Sequence, residues 1–221
     1  KKWKKSTFDG YNEVSVPLSW TEDLKIECEK NNIDYFTAPY CIDFIDSLNN
    51  HVSAWKVGSG DITYHDSIIK MAKTGKTLII ATGASKISEV DDLIKKIIPI
   101  NKKLILMQCN TNYTGSVDNF KYIQLNVIKL YSKLFPELIL GLSDHTPGHS
   151  TVLGSIALGA KVIEKHFTDN NNLDGPDHKF SMNPKDWRYM VERARELEEA
   201  LGSENKKIEE NEKETVVLQR R

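Results

Sequence analysis

The chain reads as an α/β protein built on a parallel sheet. Three features predict this: short apolar runs alternate with helix-period segments, most of the runs stop at Gly, Pro or a polar cluster, and 221 residues suffice for one sizeable core. The expected strands are residues 33–38, 54–60, 77–81, 104–107, 138–142 and 162–164. A strand, a helix and a second strand in succession call for right-handed crossovers. An open doubly wound sheet and a closed eight-stranded barrel both satisfy that pattern. No Gly-x-Gly-x-x-Gly turn follows any strand, which weighs against a dinucleotide-binding open sheet.

Taken in order, residues 1–18 carry no clear period. Ser19-Trp20-Thr21-Glu22 fits a capping box and opens a helix to Lys30 that is expected to bury Leu24 and Cys28. The strand at 33–38 runs into Pro39, a short helix spans 42–48, and the next strand ends in Gly58-Ser59-Gly60. A helix over 66–73 is closed by Gly75. Helix 88–98 places Val90, Ile94 and Ile97 on one face, and helix 119–134 turns Phe120, Val127, Leu130, Tyr131 and Leu134 inward. Residues 151–158 form the helix between the last two strands. After a polar loop, Asn183 and Pro184 start a final helix with the stripe Trp187, Val191, Ala194, Leu197 and Leu201, ended by Gly202. Residues 203–214 are a charged, solvated linker, and 215–218 is a strand-like run.

Composition excludes several roles. Thirty basic residues against 31 acidic ones give a net charge of −1, which offers no electrostatic case for nucleic acid or an anionic membrane. No apolar run approaches the ~20 residues of a membrane span, and no h-region follows the basic Lys1-Lys2-Trp3-Lys4-Lys5, so the expected compartment is the cytoplasm. Cys28, Cys41 and Cys109 have no metal-binding spacing and read as reduced structural thiols.

The chemistry-bearing residues fall at strand ends: Thr37, Lys56 with Ser59, Thr82, Asn110 to Tyr113, Ser143 with His145, and Glu164 with His166. In a parallel α/β fold these ends converge on one cavity. Lys, Ser, Thr and Asn together supply the fixed charge and the donors that a phosphate or carboxylate needs. Two neutral imidazoles at adjacent strand ends can bind a divalent metal and leave positions open. The loop Gly175-Pro176-Asp177-His178 can add a carboxylate above them. Each residue also has a structural reading: a hydrogen-bonded strand-end histidine, a snorkelling Lys56, a turn-forming Ser59. His51, His65, His149 and His178 read as surface or capping residues.

The runs Phe36-Thr37-Ala38-Pro39, Lys56-Val57-Gly58-Ser59-Gly60-Asp61-Ile62-Thr63, Ala81-Thr82-Gly83, Gly141 to Thr146, Gly159-Ala160, Val162 to Thr168 and Gly175 to His178, in this order, resemble the sialic acid synthase family over about residues 20–221. The resemblance implies a (β/α)8 TIM barrel, here over 1–202 and incomplete for want of the first two strands, with 203–221 a linker leading to an absent antifreeze-like domain. It implies condensation of phosphoenolpyruvate with an N-acetylated amino sugar such as N-acetylmannosamine, in a protein that is a homodimer at full length. His145 and His166 resemble the family's Mn²⁺ or Mg²⁺ ligands. Thr37, Lys56, Ser59 and Ser143, with Thr111 or Asn112, resemble its phosphoenolpyruvate clamp. Tyr113, Glu164 and Asp177 resemble its sugar-side residues, and Lys56, Glu164 and Tyr113 are the expected catalytic groups. Asp61 stands where the family has glutamate and Ala81 where it has serine. A metal-dependent barrel hydrolase and a non-catalytic fragment are the alternative readings.

Overall fold

The computed structural model describes residues 6, 9, 10, 13 and 15–220. Its centre is a parallel sheet of β1 (Ala54–Val57), β2 (Thr77–Ala81), β3 (Leu104–Cys109), β4 (Ile139–Asp144) and β5 (Val162–Lys165), paired in the order β1-β2-β3-β4-β5. Each strand pairs with the next in sequence, so the strand order never reverses as it does in a doubly wound sheet. This succession is that of a barrel wall, and the five strands form a curled half-barrel.

The strands form where apolar runs are rich in β-branched residues, and their period of two sorts the side chains onto two faces. Trp55, Val57, Leu78, Ile80, Leu104, Leu106 and Leu140 turn outward and make the main core under the helices, where Ile68, Leu93, Ile94, Ile97 and Ile128 meet them. Ala54, Ile79 and Met107 form a smaller cluster on the concave face. Gly141 faces the same side, where a Cβ would lie 2.6 Å from the Val162 carbonyl oxygen and 3.1 Å from the Met107 side chain.

The helices that position the site are α1 (Thr21–Lys30), α2 (Phe44–Leu48), α3 (His65–Lys73), α4 (Ile87–Ile97), α5 (Val127–Leu134), α6 (Ser150–Ala157) and α7 (Pro184–Leu201). Gly75 caps α3 at φ 74° as expected. Asn183 caps α7 by accepting from the Asp186 N–H, with Pro184 in the first turn.

Several expectations are corrected. Residues 33–38 are not a strand of the sheet. They run beside β1 with one bridge, Thr37 to Trp55, where the Lys56 N–H donates to the Thr37 carbonyl at 3.0 Å, and the Tyr35 carbonyl accepts from the Ser53 N–H; Ile33 and Phe36 stay exposed. The capping box at Ser19 does not form, because Leu18–Trp20 is a 3₁₀ turn and the helix begins at Thr21 without a side-chain cap. Leu24 is exposed and Cys28 half-buried. The long helix at 119–134 is instead a 3₁₀ segment (Val117–Tyr122) and then α5, separated by Gln124 at φ 55°. That break re-phases the faces, so Ile128 and Tyr131 are buried while Phe120, Leu130 and Leu134 are exposed. On α7 the fully packed residue is Met190, whereas Val191 and Leu201 are exposed. Residues 215–218 are helical, within α8 (Lys213–Gln219), and pair with no strand among the described residues, so their β-branched composition has no sheet to join. The expectations for residues 1–5, 7, 8, 11, 12, 14 and 221 fall outside the described residues.

Candidate active site

The candidate site is built at the C-terminal ends of β1, β3, β4 and β5. On β4, alternation sends Ser143 and His145 to the concave side and Asp144 to the helix side. On β5 it does the same for Glu164, His166 and Lys165. The register pairs Ser143 with Glu164 and Asp144 with Lys165, so the two strand tips carry matched layers.

The concave layer is a polar chain. Ser143 Oγ donates to Glu164 Oε1 at 2.7 Å, and Lys56 Nζ lies 3.5 Å from Glu164 Oε2. Lys56 also donates to the Val57 carbonyl at 3.0 Å. Glu164 is therefore held between a hydroxyl and an ammonium across the concave face from β5 to β1. Cys109 sits beneath them against Ser59 and Ser143, and burial pushes its thiol pKa up. Gly83 closes the floor: a Cβ there would meet Thr111 Cγ2 at 2.5 Å and Ser59 Oγ at 2.9 Å. Asp61, near Lys56, is pushed up by burial, and the Lys56 charge partly opposes this.

The two histidines stand side by side, with ring centroids 5.1 Å apart. His145 is 5% exposed, and its Nδ1 lies 2.8 Å from the Asn110 carbonyl. A carbonyl only accepts, so Nδ1 carries the hydrogen and the Nε2 lone pair is free. Burial lowers the His145 pKa; the Asn110 hydrogen bond pulls the other way. The ring is thus held neutral, as a metal ligand requires. His166 Nδ1 lies 3.4 Å from Asp177 Oδ2. Tyr113 packs on His145 at 4.2 Å and on His166 at 5.8 Å, and Phe180 touches all three rings. Burial also raises the Tyr113 pKa, keeping its phenol protonated. Among the described residues no cluster of three or more His, Cys, Asp or Glu side chains is arranged to hold a metal. The donor set is therefore the pair of imidazoles, whose chemistry suits a divalent cation with its other positions taken by water or substrate oxygens.

The structure brings together Lys56, Ser59, Thr111, Tyr113, Ser143, His145, Glu164, His166 and Asp177. Thr37 lies beside β1 through its backbone bond to Lys56. Asn112 is tied into its own loop, since its Oδ1 accepts from Thr114 Oγ1 at 2.8 Å and from Asn119 Nδ2 at 3.2 Å. Thr82 does not reach the site. It is buried, donates to the Met107 carbonyl and meets the Tyr131 hydroxyl on the helix side. An open groove of about 590 Å³ flanks the histidines, lined by Asn110, Thr111, Asn112, Tyr113, Tyr122 and Gln124.

Sequence reasoning missed two features. Phe180 arrives from the loop after β5, where nothing in the local sequence sets it apart. Asp144 and Lys165 form a buried ion pair at 2.7 Å directly behind the site. Their signal was present: each charged residue sits next to a candidate histidine on an otherwise apolar strand.

Comparison with known proteins gives a consistent assignment. A model of the NeuB family matches residues 1–206. The chain is 30% identical over 212 residues to an N,N'-diacetyllegionaminic acid synthase of Campylobacter jejuni, covering 94% of this chain and 62% of that protein. It is 33% identical to the human N-acetylneuraminate-9-phosphate synthase, covering 90% and 56%. The chain thus spans about three fifths of the length of the curated relatives it matches. Among solved structures, an N-acetylneuraminic acid synthetase of Leptospira borgpetersenii superposes with a TM-score of 0.83 at 23% identity, over 98% of this chain and 76% of the other, a likeness of fold.

Proposed function

On the premise that the chain belongs to the NeuB family, we propose that it carries part of the active site of a transferase that condenses phosphoenolpyruvate with an N-acetylated amino sugar, giving a nonulosonic acid and phosphate. The observation that carries this reading is the continuous contact from Lys56 through Glu164 to Ser143, set beside two exchange-ready imidazoles at one end of one sheet.

In the reaction, C3 of the enol bonds to the aldehyde carbon of the open-chain sugar. Water then adds at C2, and the C2–O bond breaks to release phosphate. Lys56, Ser143 and Ser59, with Thr37 and Thr111 at the margin, supply the cation and hydroxyls that hold phosphate and carboxylate so that C3 faces its target. Asn112 serves this clamp through the loop it braces. Glu164 is an acceptor fixed on both sides, placed to hold a sugar hydroxyl and to take or return a proton there. Tyr113 walls the sugar side over His145, and Asp177 approaches from the loop beside His166. His145 and His166 would hold a divalent cation, Mn²⁺ or Mg²⁺, which when bound supplies Lewis-acid polarisation of the aldehyde. The family resemblance supports a homodimeric, cytoplasmic enzyme.

The test is phosphate release from phosphoenolpyruvate by the full-length protein with Mn²⁺ across a panel of N-acetylated hexosamines. Turnover with at least one sugar is expected, and it should fall on chelation. No turnover with any of them overturns the reading.

A further inference from the structure

The pair Asp144–Lys165 lies on the helix side of the sheet, and its side chains are 0% and 2% exposed. Each of its three charged-group atoms, Asp144 Oδ1 and Oδ2 and Lys165 Nζ, is hydrogen-bonded. Asp144 Oδ1 accepts from the Thr146 N–H at 3.1 Å, while Oδ2 accepts from Thr146 Oγ1, Thr151 Oγ1 and Lys165 Nζ at 2.9, 2.7 and 2.7 Å. Lys165 Nζ also donates to the Thr146 carbonyl at 2.7 Å. The Asp144-to-Thr146 bond closes a side-chain turn whose enclosed residue is His145. Lys165, the residue before His166, grips both sides of that turn from the neighbouring strand.

From this geometry we infer that Asp144 and Lys165 are positioning residues: their clamp fixes His145 against the Asn110 carbonyl and sets His145 relative to His166. Stability alone is a weak reason for such a pair, because burying two charges costs about as much as their attraction returns, and apolar replacements are often neutral. What an apolar pair cannot do is hold the turn around His145 from both ends. The clamp leaves the concave side free, so it acts on the site without touching a substrate. This inference concerns the site proposed above, and its first readout does not depend on the reaction assigned there.

The test compares the full-length wild type with the charge-neutral double variant Asp144→Asn/Lys165→Met and with Lys165→Arg. The ring nitrogens of His145 are followed by ¹⁵N NMR, and the affinity for Mn²⁺ alone is measured by titration. In wild type His145 is expected to be the Nδ1–H tautomer, donating to the Asn110 carbonyl. In the double variant a mixture of tautomers is expected, together with a loss of Mn²⁺ affinity on the order of 10–100-fold, the usual effect of removing partners that orient metal ligands. Lys165→Arg, which keeps a cation on Asp144, is expected to retain the tautomer and most of the affinity. If the double variant fails to fold, Thr151→Val, which removes one donor from Asp144, is read in the same way and should show the same changes in smaller degree. An unchanged tautomer in a folded double variant, or in Thr151→Val if that variant must stand in, overturns the inference. So does Lys165→Arg behaving like the methionine variant. A wild type that turns over no sugar while its tautomer responds as described defeats the synthase reading and leaves the positioning role standing.

Discussion

Cys109 shows how a single residue's surroundings decide its chemistry. It stands at a strand end beside Ser59, Ser143 and the Lys56 charge, which all favour the thiolate, yet burial outweighs them and raises its pKa. The thiol is therefore inert at neutral pH, unlike a nucleophile exposed to a cation. At pH 8, iodoacetamide is expected to modify the half-buried Cys28 and Cys41 and to spare Cys109 until the chain is denatured, as read by peptide mass spectrometry. Cys109 labelling at the same rate as the other two in the native protein would contradict this. The sign of its linkage follows. The folded pKa lies above the unfolded value of about 8.5, so the contribution is full below that pH and is lost as pH rises through the folded pKa. At this scale Lys56, Ser143, His145, Glu164 and His166 were legible because polar residues interrupt apolar strands only for a reason. Phe180 was missed, and the loop contacts of Asn112 were not foreseen, because loop side chains take their direction from packing that no local pattern encodes.

At the scale of elements, the strands were legible because buried parallel strands are near-continuous apolar runs. Their outward faces agree with the core observed at Trp55, Leu78, Ile80 and Leu106. The failures have common causes. Residues 33–38 have a strand's composition but pair at a single bridge, with Pro39 removing the next donor. Residues 119–134 have a helix's composition, yet the positive φ at Gln124 splits them, which only the turn into α5 required. Gly141 shows what element packing demands of one position. Its Cβ-less backbone lets β4 lie close to β5 and under Met107, so Gly141→Ala forces either Met107 or the β5 carbonyl to move. A destabilisation of about 1–3 kcal/mol is expected, the usual cost of overpacking a close-packed interior. Urea titration should show a lower midpoint with an unchanged m-value. A variant as stable as wild type would mean that the β4–β5 spacing is not tight.

For the molecule as a whole, the sheet is curved but not closed. Among the described residues β1 is flanked on its outer side by the Thr37 bridge and the Tyr35 carbonyl beside it, and the segment after β5 meets Met182, whose N–H donates to the His166 carbonyl and whose carbonyl accepts from the Thr168 N–H. In the segments at these edges Ile33, Phe36 and Phe167 are exposed. The barrel type was legible only through the ordered motifs, since alternation of strands and helices fits open and closed sheets equally; the unreversed strand order now separates them. Exposed edges that keep unpaired backbone donors and acceptors beside apolar side chains are templates for association. A chain of residues 1–221 on its own is therefore expected to self-associate as its concentration rises and to bind a hydrophobic dye, measured by light scattering after size exclusion and by dye fluorescence. It is also expected to lack synthase turnover, because the groups described occupy one side of the concave face and a condensing enzyme must enclose its enol against water. A monodisperse, dye-silent monomer would show that the edges are protected within this chain. Phosphate release from phosphoenolpyruvate by the same material would show that the half-barrel alone holds both substrates.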